Sequence, residues 1–408
     1  MDIIITHHPI LTPELRTRWL ALWQISQDAH PFNHPAWFNA APMDDRLAER
    51  RILFVSKAGQ DILVCAFTES GRCFSLLGSP YLEKSAMVVG TDVTPSDWAG
   101  IVRHLLSRYD RVLLQEVPQP FSEGLASMAL PGWRVSVPSS ISPYFHVDQP
   151  ALSAKRRHEF RRYTRKLDKE HGPIDFELLR LQPEHLADMT GIERRSSKPK
   201  RGRSAFDHPE YQQFMRQVIE HFDGMCWIGM MRLQGRCVAH YAAVTADNRM
   251  VGLHMAFDQT LYRYSPGGVL IYNLLPMCEQ MGIDIFDFGR GVSVLKTKFC
   301  GDKAELRNFE YFFRKNIRGT VAWFRTKMLW SGISAGRRLR AWDHRRLNLI
   351  LDRFSINWTG FLSNGDVAHC PAPRRPYHRP PSGRIRRDLP FGPFKAQPAV
   401  ARLSLIHI

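Results

Sequence analysis

The stretch RMVGLHMAFDQTLYRYSPGGVLIYNLLPMCEQMGIDIFDFGRGVSVLKTKFCG, residues 249–301, decides the fold. It reads as a strand (Arg249–Phe257), a loop, Ser265-Pro266-Gly267-Gly268, a helix over 267–281 and a strand over 283–288. Gly289-Arg290-Gly291 and two lysines, Lys296 and Lys298, follow. Ser is a preferred N-cap and Pro is preorganised for the first helical position. Adjacent glycines let a ligand approach the backbone closely. Free N–H groups and the positive end of the helix dipole then favour a phosphate or pyrophosphate. The same pattern also makes a well-capped helix that binds nothing. Gly289-Arg290-Gly291 fails as a dinucleotide fingerprint: Val294 stands at the third glycine position and no helix follows at once.

Working outward, Cys226–Leu233 and Arg236–Val244 form a hairpin around Gln234-Gly235, and Arg249–Phe257 extends it into a meander. A basic helix over 152–170, a strand at Ile174 and helices over 185–195 and 209–221 precede it. The first half shows a helix over 13–27 capped by Thr12, a hairpin near 51–68, a strand at 73–77, a helix over 97–109 and a strand at 111–117. Residues 138–143 read as an inter-domain connection. Strands mixed with helices of this length give an α/β (α+β) class.

The chain has 408 residues, enough for two or three domains. With 44% hydrophobic and 23% charged residues, most of it can bury a core. No run of about 18 apolar residues suggests a transmembrane helix, and the first residues lack the pattern of a secretory signal. The seven cysteines are odd in number and never spaced CxxC, which argues against a disulfide framework or a zinc knuckle. A cytoplasmic location and no metal are expected.

The net charge of +17 is concentrated: residues 155–171 carry +5, 314–346 carry +9 and 366–408 carry +6. Such clusters suit a solvated surface, an anionic membrane surface or partner protein, or nucleic acid. Residues 317–365 read as a basic helical extension. Residues 366–408, with eight prolines between 371 and 398, read as a disordered tail.

Several residues are candidates for chemistry. Asp258 and Asp287, each at the end of a strand, could meet at one sheet edge and share acid–base work; each could equally cap a turn. Lys296 could stabilise charge. Glu193, Arg194 and Lys198, in Glu193-Arg-Arg-Ser-Ser-Lys198, could face a substrate. His240 and His254 lie in apolar strands, where core packing is the commoner fate, and match no metal-ligand pattern.

These motifs together resemble the cellulose-biosynthesis (CelD/BcsL-type) acetyltransferases of the GNAT superfamily. The resemblance rests on the basic helix, Glu193–Lys198, Phe206-Asp-His-Pro209, Leu233–Ala239, Ala256-Phe-Asp258, Tyr264-Ser-Pro-Gly267, Phe286-Asp-Phe-Gly289 and Lys296 with Phe299. In the first half it adds His34-Pro35, Trp37 and Leu77-Gly-Ser-Pro80, so that it covers about residues 30–315. It is shared more distantly with FemX-type transferases. The resemblance implies tandem GNAT-like domains, a degenerate one over 1–148 and one with the acyl-CoA site over 149–316. Arg263, Tyr264, Ser265, Pro266, Gly267, Gly268 and Val269 would then hold the pyrophosphate of acetyl-CoA, although Pro266 stands where the usual loop has its first glycine. Asp258 or Asp287 would act as base or orient the acceptor, with Lys296 stabilising charge. The acceptor would be an amine or hydroxyl of a sugar or polysaccharide precursor, and the protein would be cytoplasmic or peripheral to the inner membrane. A FemX-like transferase using aminoacyl-tRNA, or a non-catalytic scaffold of an envelope-polysaccharide complex, are the alternatives.

Overall fold

Thirteen strands among the described residues join in one mixed sheet. The computed structural model describes residues 3–42, 48–78, 83–118, 133–201 and 204–312, together with Trp323. The expected extension (317–365, apart from Trp323) and tail (366–408) lie outside them.

The first half begins with β1 (Ile3–His8) and α1 (Pro13–Ile25), whose Thr12 hydroxyl accepts from the Leu15 N–H as expected. A short helix, α2 (Trp37–Ala40), follows. Then come β2 (Glu49–Lys57), β3 (Gln60–Ser70), β4 (Cys73–Leu76) and β5 (Met87–Val89). α3 (Pro95–Arg108) and β6 (Arg111–Pro118) complete this half. Strand β7 (Trp133–His146) absorbs the stretch read as an inter-domain connection. Its prolines did not prevent a long strand, and it pairs on both sides.

The second half runs α4 (Ala154–His171), β8 (Ile174–Arg180), α5 (His185–Arg195) and α6 (Pro209–His221). The meander β9 (Cys226–Leu233), β10 (Arg236–Ala246) and β11 (Arg249–Phe257) comes next. After a 3-10 turn over Gln259–Tyr264 come α7 (Pro266–Gln280), β12 (Ile285–Asp287), the short α8 (Lys296–Phe299) and β13 (Asp302–Phe312).

The two halves repeat one plan. In each, an antiparallel meander is followed by a helix and a strand parallel to the meander's last member: β4 with β6, and β11 with β12. Strand β13 was not anticipated. It lies between β6 and β7, antiparallel to both, and makes one continuous sheet of the two halves. All of this lies in one compact unit.

The meander is buried on both faces, which explains its near-continuous apolar runs. One face packs on α5 and α6 through Ile192, Phe214, Met215 and Val218, continuous with the core of the first half. The other packs on α4 and α7 through Phe160, Leu167, Val269, Ile271 and Leu274. Phe160 and Leu167, seven residues apart, mark the inward stripe of α4. Its Lys155, Arg157, Arg161, Arg162, Arg165, Lys166 and Lys169 are all exposed.

Candidate active site

Strands β11 and β12 are paired only from Arg249–Ile285 to Val251–Asp287. Beyond that point they separate. The chain after β12 stays with β7, where the Phe288 and Gly291 N–H groups donate to Pro143 and Ile141 carbonyls. Leu253–Phe257 therefore has a strand neighbour on the β10 side alone. The register to β10 slips here, with Gly252 opposite Ala243 but His254 opposite Ala242. This bulge, one extra residue in β11, turns His254 onto the face that Leu253 already occupies. There the Phe206 and Tyr211 rings pack against it.

The loop that follows leads into α7. Asp258 caps the 3-10 turn: its carboxylate accepts from the Thr260 N–H at 3.1 Å and the Thr260 hydroxyl at 2.7 Å. Its other oxygen takes Arg195 at 3.0 Å and Arg236 at 3.4 Å. Burial pushes this carboxyl up, but the Thr260 and Arg195 bonds outweigh that and hold it below the usual range. Ser265 departs from expectation. It adopts a left-handed conformation (φ 51°, ψ 53°) and its side chain makes no cap. The first-turn N–H groups of Gly267 and Gly268 thus receive no acceptor from the serine, which suits an incoming anion.

Both glycines also answer to packing. A Cβ on Gly267 would lie 2.6 Å from the Met255 methyl, and one on Gly268 would lie 2.5 Å from the Phe160 ring. Pro266, Gly267, Gly268 and Val269 are buried, while Arg263 is exposed and pairs with Glu170 of α4 at 3.0 Å. Tyr264 is buried, with its hydroxyl bonded to Glu170 and 3.2 Å from His171. Lys166 lies over the Tyr264 ring. Tyr262, in the turn before this helix, and Val292 and Val294, in the segment after β12, are large apolar side chains left in solvent.

Asp258 and Asp287 do not meet. Asp287 is opposite Val251, and Asp258 lies seven residues farther on, just past the end of β11, roughly 20 Å at the usual rise per residue. The shared-carboxylate expectation fails because β12 stops where β11 continues. Asp287 is fully buried and sits at the junction of the halves. Its carboxylate is 2.8 Å from the Lys84 ammonium and 3.4 Å from Arg249, and it accepts from the Ser142 hydroxyl and the Gly289 N–H. Burial pushes its carboxyl up, but Lys84 and Arg249 prevail and keep it low. Lys296 is also buried, donating to the Gly289 and Arg290 carbonyls at 2.9 and 2.8 Å. It braces the turn whose glycines take positive φ. Burial lowers its ammonium, against Glu83 and Asp287 nearby. Arg290 of the same turn pairs with Glu116 at 2.9 Å, another tie to the first half.

A second cluster joins two of the sequence candidates to two histidines of the meander. Glu193 and Lys198 do come together, with the ammonium 3.3 Å from the carboxylate. Between them stands His254, whose Nε2 is 2.8 Å from both Glu193 Oε1 and Lys198 Nζ. His254 Nδ1 lies 2.8 Å from His240 Nε2, with the rings stacked. Glu193 Oε2 accepts from the Ser204 hydroxyl and the Phe206 N–H. Arg194 is exposed. Burial pushes Glu193 up, but His254 and Lys198 hold it far below the carboxylate range. Burial lowers Lys198 to about 8 and His254 to about 4, both against the pull of Glu193. The two histidines gave no sequence signal, because apolar neighbours on both sides made them look like core residues. Among the described residues, no group of three or more His, Cys, Asp or Glu is placed to hold a metal ion, and no helix is long and apolar enough to cross a membrane.

Residues 154–297 match the family model described as acetyltransferase (GNAT) domain, so the second half carries a GNAT-type domain. No curated protein matches the sequence. Among solved structures, FemX is similar over 77% of this chain and 98% of its own, at 9% identity and a TM-score of 0.54. A conserved protein of unknown function from Bacteroides thetaiotaomicron VPI-5482 is similar over 76% and 100%, at 10% identity and a TM-score of 0.51. At these identities the likeness is one of fold, a mixed α/β architecture.

Proposed function

We propose that the chain is an acyl-CoA-dependent acyltransferase, with acetyl-CoA as donor and an amine or hydroxyl of a sugar or polysaccharide precursor as acceptor, serving exopolysaccharide or cellulose biosynthesis. The observation that carries this reading is the parting of β11 and β12 beside the uncapped Gly267–Gly268 start of α7, within the region that matches the GNAT domain model. The donor set fits the group. Two uncapped N–H groups and the helix dipole suit a pyrophosphate. Arg263 and Lys166 add positive charge, and Tyr262, Val292 and Val294 offer apolar surface to a pantetheine arm.

Bound there, the thioester supplies an activated acyl carbon. The chain's residues do the rest. Gly267 and Gly268 hold the phosphates, while the bulged strand with its open edge sets the carbonyl against the acceptor. Asp258 holds Arg195 against the Cys237 carbonyl and fixes the loop that feeds α7. Asp287 and Lys296 keep the two halves and the turn after β12 in register. Peripheral association with the inner membrane fits the seven exposed cations of α4. The same cations support a second reading, a FemX-like transferase that takes an aminoacyl-tRNA, since basic clusters bind polyphosphates.

Isothermal titration of acetyl-CoA into the purified chain, with Gly267→Asp as control, tests the donor. Micromolar binding that the variant loses supports the reading. Absence of binding to acetyl-CoA, CoA and a longer acyl-CoA overturns it and directs the search to charged tRNA.

A further inference from the structure

We propose that Lys198 is the catalytic base of the reaction, taking the proton from the attacking amine or hydroxyl of the acceptor, with Glu193, His254 and His240 as the positioning residues that keep it ready. This deepens the acyl-transfer reading and rests on it.

Three observations lead here. The first is access. Glu193 and His254 side chains are wholly buried and His240 is fully buried, whereas the Lys198 side chain is 20% exposed. It is the one member of the cluster with side-chain surface open to solvent. The second is place. His254 sits on the bulge of β11, at the stretch whose other edge lacks a strand partner, and the next residue, Met255, touches Gly267 of the α7 start. The cluster and the proposed donor site thus lie on opposite faces of the same two residues of one strand. That leaves the acceptor to enter from the α5–α6 side.

The third is the proton arrangement. Glu193 Oε2 is already committed to Ser204 and Phe206, so Oε1 alone serves Lys198 and His254. Two states satisfy the distances. In one, His254 Nε2–H donates to Glu193, and His254 Nδ1 accepts from His240. In the other, the Lys198 ammonium donates to His254 Nε2, and Nδ1–H donates to His240. In the second state His240 Nδ1 carries a proton, and the structure gives that nitrogen no partner. The first leaves Lys198 free to be neutral. The ammonium's low proton affinity, near 8, follows from burial working against Glu193. The groups facing Lys198 are Glu193 from α5 and His254 from β11, with His240 of β10 behind them.

The step balances simply. The acceptor's N–H or O–H proton moves to the Lys198 amine as the new C–N or C–O bond forms at the acyl carbon. The C–S bond breaks, and the proton leaves Lys198 for the departing thiolate or for water. No oxidant, reductant or covalent enzyme adduct is needed.

The test is competitive labelling of the intact protein with dinitrofluorobenzene, which attacks neutral amines only, read lysine by lysine by mass spectrometry from pH 6 to 11. Each sample is run with and without acetyl-CoA, and calorimetry follows donor binding separately. The proposal expects the Lys198 labelling midpoint near pH 8, and at least a tenfold slowing of that residue's labelling under saturating acetyl-CoA. Glu193→Gln should move the midpoint lower, because the carboxylate holds the proton on; the wild-type curve stands alone if that variant does not fold. A midpoint at the ordinary lysine value near 10.4 overturns the proposal. So does labelling indifferent to acetyl-CoA that calorimetry shows to be bound, and in that case the donor reading survives. No donor binding at all defeats the donor reading, and the base with it.

Discussion

The Lys84 ammonium lies 2.8 Å from the Asp287 carboxylate, joining the two halves of the chain through a pair that is almost completely withdrawn from water. Removing one partner of such a pair strands the other. Lys84→Met should cost about 3 kcal/mol in urea unfolding, and Lys84→Met with Asp287→Asn should cost less than Lys84→Met alone. Independence of the two changes would show that the pair does not hold the junction. Because Asp287 is held low when folded, its contribution is present above the unfolded carboxylate value near 3.9 and is lost as pH falls through the folded value.

Histidines give a second pH effect of a different origin. Burial lowers His254 and His34 to about 4, with Lys198 and Arg16 adding to it. The unfolded chain binds protons at these positions from pH 6.5 downward while the folded chain does not. Stability should therefore fall between pH 6.5 and 4, by roughly 1 kcal/mol per histidine at pH 5.5. Thermal melts of His34→Gln should show a shallower decline over that window. An unchanged slope would mean that His34 does not carry it.

At the start of α7, Gly268 faces the Phe160 ring and Gly267 faces a flexible methionine end. Gly268→Ala should destabilise by about 2 kcal/mol through overpacking, and Phe160→Leu in the same chain should recover part of that. Gly267→Ala should be milder, since the Met255 methyl can move. Equal losses at both positions, measured by chemical denaturation, would contradict this account of the helix start.

Asp258 should behave as a positioning residue. Asp258→Ala removes the cap on Thr260 and the tie to Arg195, costing about 2 kcal/mol of stability. The pH dependence of thiol release from acetyl-CoA should keep its midpoint. A shifted midpoint in Asp258→Ala, with an unaltered one in Lys198→Arg, would transfer the base to Asp258.

Much of the second half was legible in the sequence, because its signals are local. Gln234-Gly235 sets a hairpin turn, Pro266 opens a helix, and unbroken apolar runs mark strands covered on both faces. What could not be read depends on long-range pairing. Strand β13 declares its role only by lying between β6 and β7, strands more than 150 residues earlier in the chain. The gap between Asp258 and Asp287 follows from where β12 ends, which no periodicity encodes. The Glu193–His254–His240 chain joins α5 to two strands, and His254 faces this cluster because a bulge at Leu253 resets the alternation of β11. Ser265 carries the residue type of a cap, but with a left-handed backbone its hydroxyl makes no capping hydrogen bond to the helix it precedes.

The central claim is that an acyl-CoA lies along the open edge of β11 with its phosphates at the start of α7. A crystal structure of the full chain grown with CoA tests it most directly. The account predicts one CoA per chain, its pyrophosphate within hydrogen-bond distance of the Gly267 and Gly268 N–H groups and its thiol beside Leu253–Met255. CoA bound elsewhere, such as at the start of α3 where the Thr94–Asp97 capping box fills the helix end, would contradict it. So would crystals grown at saturating CoA that show the α7 start empty.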